Sequence, residues 1–148
     1  MIESLENAKE ELKRIDHLIY VTLKYTRTVD VLLSVVERMV NSYEFLIESL
    51  TKKAISLGTN SEELTNPIAK ANFVLAQYST KLIQENINKY LLFRKLRRAT
   101  YNKENEFRRH VTMIATVEEK EVRVNIDTIT EDFHKLRKIL EFVEKEIK

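Results

Sequence analysis

The chain has 148 residues, room for a single domain (1–148) with a sizeable core. Its one Gly and one Pro, Gly58 and Pro67, are too few for an all-β or α/β fold, whose tight turns and phosphate loops use both repeatedly. With no Cys, 43% hydrophobic and 32% charged residues and a net charge of +2, a disulfide framework, cysteine chemistry, general disorder and a membrane-embedded chain are all excluded.

The first segment places Leu5, Ala8, Leu12, Ile15, Ile19 and Thr22 in alternating steps of three and four, one side of a helix. The same register resumes at Val29 and runs through Leu33, Val36, Val40, Tyr43, Ile47, Leu50 and Ala54. Because it passes unbroken through Thr22 and Thr26, one helix of more than fifty residues and a hairpin of two both fit. The hairpin is preferred, since it buries both faces within one chain. Thr28 would serve as the N-cap and Asp30 would place a carboxylate in the first turn, where the helix dipole favours it. Leu32, Val35, Met39 and Leu46 widen the second stripe into a face broad enough to meet several helices.

Gly58-Thr59-Asn60-Ser61 is the clearest break, with Gly58 suited to a left-handed C-cap. Asn66-Pro67 then restarts a helix, Asn as N-cap and Pro at the first helical position. Ile68, Ala71, Leu75, Tyr78, Leu82, Ile87 and Leu91 carry that helix to about residue 100. The polar stretch from Tyr101 to Glu106 reads as a mobile loop between helices. Phe107, Val111 and Ile114 begin a last stripe, which is strongest from Val122 through Ile126, Ile129, Phe133, Leu136, Leu140, Val143 and Ile147. Glu131/Lys135, Glu141/Lys145 and Glu144/Lys148 are spaced to support it as i,i+4 pairs. Residues 122–126 alternate as a strand would, but an isolated strand has no partner, so they are read as helix.

The expectation is therefore an all-α fold: an elongated antiparallel bundle of about four long helices with coiled-coil-like heptad packing, near 2–25, 28–57, 66–100 and 107–147. The last two would be the longest, overhanging their neighbours or dimerising through the excess surface. The charged N-terminus lacks a signal-peptide core, and no apolar run approaches a membrane span, so a cytoplasmic protein without membrane insertion is expected.

A search for chemistry returns little. His17, His110 and His134 lie far apart, and none stands in Glu-x-x-His or His-Glu-x-x-His, so no metal site, cofactor motif or catalytic set is expected. The carboxylate pairs Glu10-Glu11, Glu62-Glu63 and Glu118-Glu119 read as solvated faces. Charge alone is uneven. Residues 58–110 carry ten Lys and Arg against five Asp and Glu, while the flanking segments are slightly acidic. Arg94, Arg97, Arg98, Lys103, Arg108 and Arg109, interleaved with Tyr90, Phe93, Tyr101 and Phe107, make a candidate surface for the phosphates and bases of RNA or DNA. The competing reading is a basic helix end neutralised by acids elsewhere in the bundle.

In length and helical make-up the chain resembles the HEPN superfamily, four-helix proteins that often act as RNases or pair with nucleotidyltransferases. That family's signature, Arg followed four to six residues later by His, is missing. Arg108 and Arg109 stand too close to His110 and Arg98 too far, and Arg14 before His17 and Arg123 before His134 also miss. The enzymatic implication therefore does not carry over. Lys-Tyr-Thr-Arg-Thr-Val-Asp at 24–30 and Glu-Phe-Arg-Arg-His-Val at 106–111 resemble segments of small uncharacterised archaeal all-α proteins, a likeness that implies no function. The expected role is a non-enzymatic interaction or structural protein, a homo-oligomer through its helix faces, with nucleic-acid association through residues 94–109 as the alternative.

Overall fold

Helix α1, Ile2–His17, buries Leu5, Ala8, Leu12 and Ile15. It continues through one π-helical turn, Leu18–Thr22, into the short α2, Leu23–Tyr25. These features come from a computed structural model, which describes residues 1–58 and 65–148. The rod stops at Thr26, where φ is −132°. Thr28 turns extended and its hydroxyl accepts from the Val31 N–H, opening α3, Val29–Ser56, with Asp30 in the first turn. The hairpin reading of the first 57 residues holds. Gly58 closes the segment at φ +87°, the left-handed conformation in which a Cβ is penalised. The rest of the expected break, Thr59-Asn60-Ser61, and the pair Glu62-Glu63 lie outside the described residues.

Asn66 accepts from the Ile68 N–H and Pro67 stands first in α4, Pro67–Gln77, as expected. The single helix over 66–100 is not formed. Its register crosses a break at Tyr78-Ser79-Thr80, after which Thr80 caps α5, Lys81–Leu96, by accepting from the Ile83 N–H. Both pieces pack on α3, so apolar spacing survives while the backbone hydrogen bonds do not. Thr80 prefers capping to a place inside a helix, which decides the outcome.

The larger correction follows. Instead of a loop at 101–106 and a helix from 107, the chain forms a three-stranded antiparallel sheet in the order β1-β2-β3, with β1 Tyr101–Glu104, β2 Thr112–Val117 and β3 Lys120–Asn125. Lys103 pairs with Met113, and Ile114 with Arg123. The alternation at 122–126 is that of a strand, and its partner is β2, where Met113, Ala115 and Val117 are buried. Glu118 and Glu119 make the hairpin turn with φ +51° and +66°, the hand that a two-residue turn needs to match strand twist. Only then does α6 begin, Ile126–Ile147, with a reciprocal capping box between Asn125 and Thr128. Of its three expected ion pairs, Glu131–Lys135 and Glu144–Lys148 lie within 4 Å. The fold is thus mostly helical with a small sheet. The longest helices are α3, with 28 residues, and α6, with 22, rather than the last two expected.

Helix α3 touches α1, α4, α5 and α6, so its broad face meets several helices instead of one coiled-coil partner. Ser49 donates to the Met1 carbonyl (2.6 Å), Ser42 to the Ala8 carbonyl (3.3 Å) and Arg38 reaches Glu11 (3.3 Å), which fixes α1 antiparallel to α3. Lys9–Glu144 (3.2 Å) and the edge-on rings of Tyr20 and Phe133 (6.3 Å) set α6 antiparallel to α1 in turn. The sheet therefore caps the end of the bundle where α2 turns into α3, α5 stops and α6 starts.

One polar group inside the bundle works against folding. Burial raises the Asp132 carboxyl above its ordinary range, a cost that Lys89 at 3.5 Å only partly offsets. The folded chain thus holds this proton more tightly than the unfolded one. Its stabilising contribution is greatest at low pH and is lost as pH rises through the raised value. Asp132→Asn is expected to raise the thermal midpoint at pH 7, with the gain shrinking towards zero by about pH 3, below the ordinary carboxyl range. Melting curves at the two pH values check it; an unchanged or lower midpoint at pH 7 refutes the sign.

Candidate functional site

The sheet end gathers most of the unusual local structure. Between β1 and β2 the backbone adopts positive φ at Asn105 (+55°) and Phe107 (+66°). Asn tolerates the left-handed region; for a bulky Phe it is a real penalty. The conformation is over-determined from outside the loop. The Glu106 carboxylate accepts from the Val29 N–H at the start of α3 (3.1 Å) and pairs with Lys103 (3.6 Å). The Phe107 N–H donates to the Arg27 carbonyl (2.6 Å), and Arg108 N–H closes the turn on the Asn105 carbonyl (3.1 Å). The loop is bolted to the 26–28 turn. Phe107 nevertheless contributes nothing to the core: it is 77% exposed, and Tyr25, two residues before Arg27, is 86% exposed.

Beside this loop, a cleft of about 480 Å³ opens between the π-helical turn and the start of α6. Lys24, Arg27, Arg109 and His134 line it with Tyr20, opposed by Asp127 and Glu131. A π turn inserts one residue into a helix and is frequent at functional sites. Here it supplies Tyr20 to the wall, edge-on to Phe133. Arg27 is steadied by a bond from Nε to the Leu23 carbonyl (3.2 Å), and Arg109 by Asp127 (2.7 Å).

The six residues singled out from sequence fare differently. Arg94 turns to Glu44 of α3 (2.9 Å), which also accepts from the Tyr90 hydroxyl (2.8 Å). Burial, then the Glu44 contact, pushes Tyr90 up to about 12. Arg97 is half-buried with its Nε unpartnered. Lys103 pairs with Glu106 and, at 4.0 Å, with Asp30. Arg109 holds Asp127. Arg98 and Arg108 are exposed, and among the described residues neither has a carboxylate within 4 Å. The loop thus gathers Lys103, Arg108 and Arg109 with Arg27, while Arg94 faces α3.

Sequence reasoning missed Tyr20, Lys24, Tyr25 and Arg27. The signal was the run Lys24-Tyr25-Thr26-Arg27, basic and aromatic at a helix end; what could not be read was its meeting with residues some eighty positions later. Among the described residues no group of three His, Asp or Glu side chains is placed to hold a metal ion, and no helix is long and apolar enough to cross a membrane. His17, His110 and His134 are all exposed. Compared with protein-family models, curated proteins and solved structures, the chain shows no match.

Proposed function

We propose that the protein is a non-enzymatic binding protein whose partner is a nucleic acid, held through its phosphates at the sheet end of the bundle. The observation that carries this reading is the pair Arg98 and Arg108, exposed guanidinium groups with no carboxylate within 4 Å among the described residues, together with Lys24, Arg27 and Arg109, which outnumber Asp127 and Glu131 in the cleft. An excess of exposed cations at one end of a protein raises the local concentration of polyanions, so a phosphate backbone is their natural complement.

The test is binding of a labelled oligonucleotide followed by anisotropy across salt. Each phosphate contact adds about 0.7 to 0.9 to the slope of log affinity against log salt, so Arg98→Gln with Arg108→Gln should flatten it by roughly 1.4–1.8. No binding even at low salt, or an unchanged slope in the double variant, removes the reading.

A second reading, a homo-oligomer joined through helix faces, is supported at the opposite end of the bundle. Ile2, Ile55 and Leu57 are exposed there, where α1 begins and α3 ends. Molar mass in solution decides it, and a dimer through that end would leave the sheet end free.

A further inference from the structure

We propose that Phe107 and Tyr25 form a stacking platform for unpaired nucleobases beside the arginines of the sheet end, so that the protein prefers single-stranded to duplex nucleic acid. The inference rests on the nucleic-acid reading above and names the form of its partner.

Three observations converge. Phe107 is both strained and unused, held at φ +66° with its ring 77% exposed. A side chain with no packing role, kept in a disfavoured conformation by bonds made elsewhere, is a group being displayed. Secondly, the display is rigid. The Phe107 N–H on the Arg27 carbonyl and the Glu106 carboxylate on the Val29 N–H fix the loop to the turn that also carries Tyr25. The backbone that carries the Phe107 ring would not have to be ordered on binding, which lowers the entropic cost of stacking. Thirdly, both rings sit within two residues of a guanidinium group: Arg108 follows Phe107 directly, and Arg27 lies two residues after Tyr25. Bases on aromatic faces with phosphates on adjacent cations is the arrangement that single strands require. A duplex keeps its base faces inside the stack and can offer this site only its backbone.

A lipid surface is the other partner that exposed rings and cations could meet. The local shape argues against it. Helix α2 has three residues, the 105–108 loop is otherwise polar, and the neighbouring cations line a concave cleft rather than one face of an amphipathic helix.

The experiment compares unstructured oligouridylate and oligothymidylate of about 12 nucleotides with a duplex of the same length, using the full chain at low salt. The single strands should bind more tightly. Phe107→Ala should weaken them about 10-fold while leaving the duplex affinity and the salt slope unchanged, and Phe107→Trp should restore binding. Phe107→Gly removes the ring and relieves the left-handed strain together, so it folds at least as well as the parent and keeps the test clean of misfolding. Tyr25→Ala should act in the same direction as Phe107→Ala. Equal affinity for single strand and duplex, or parental affinity in Phe107→Gly, overturns the platform and leaves the nucleic-acid reading intact. Failure of every oligonucleotide to bind overturns both, as does ring-dependent binding to anionic vesicles without oligonucleotide binding.

Discussion

Replacing Leu136 by Ala is expected to lower the free energy of unfolding by about 2–5 kcal/mol, and Ile47→Ala should fall in the same range. Leu136 is wholly enclosed on α6, and Ile47 is 4% exposed on α3, the helix that every other long helix touches. Truncation removes methyl groups from contact on all sides. The surrounding helices are held in register by Ser42, Ser49 and the Lys9–Glu144 pair, so they cannot close fully over the space. The loss therefore includes a cavity as well as the transfer of the deleted atoms. Urea unfolding followed by circular dichroism reads it as a lower midpoint at unchanged slope. Unchanged midpoints in both variants would mean that the three-four register does not mark the core.

Glu106→Ala should cost about 1.5–3 kcal/mol, the range for a hydrogen bond to a charged group, because the carboxylate caps the first N–H of the longest helix. That N–H belongs to Val29, which is itself wholly buried, so water is a poor substitute. The helix dipole adds to the loss, since the negative charge stands at the N-terminus of α3. Lys103 loses one partner at 3.6 Å but retains Asp30 at 4.0 Å, and both contacts are too exposed to matter much. Calorimetry at neutral pH checks the figure, with Glu106→Gln recovering part of it through the amide oxygen. A loss under half a kcal/mol would show that the loop is held by the Phe107–Arg27 bond alone.

The helices were legible where their ends carry their own chemistry. Thr28, Gly58, Asn66 and Pro67 each satisfy or remove a backbone group at a terminus, and each stands where it was expected. Thr80 offered the same signal, but Leu75, Tyr78 and Leu82 kept the helical register across it and hid the break. The sheet was hidden for three separate reasons. Its hairpin turn uses Glu118 and Glu119 where Asn-Gly would have announced it. Edge strand β1 is Tyr-Asn-Lys-Glu, with only Tyr101 turned towards the core, so it reads as a loop. Finally, β2 shows short apolar spacing that suits a strand or one turn of helix equally well. With β2 unread, the alternation of β3 had no partner. The basic segment was legible as composition, but not its division: Arg94 belongs with Glu44, and Arg109 with Asp127 and the α2 end of the first helix. Such pairings join residues distant in sequence and leave no local trace.

The two bonds that hold the 105–108 loop connect chain positions nearly eighty residues apart. Contacts of that span form only after the intervening chain has been gathered, because closing a long loop costs entropy before its contacts repay it. The α1–α3 hairpin can assemble locally, and the β-meander can assemble locally; their junction cannot. Phe107, Tyr25 and the cleft cations are therefore brought together only once these two units have met. A nascent or partly unfolded chain holds every one of these side chains and still lacks the surface they form together.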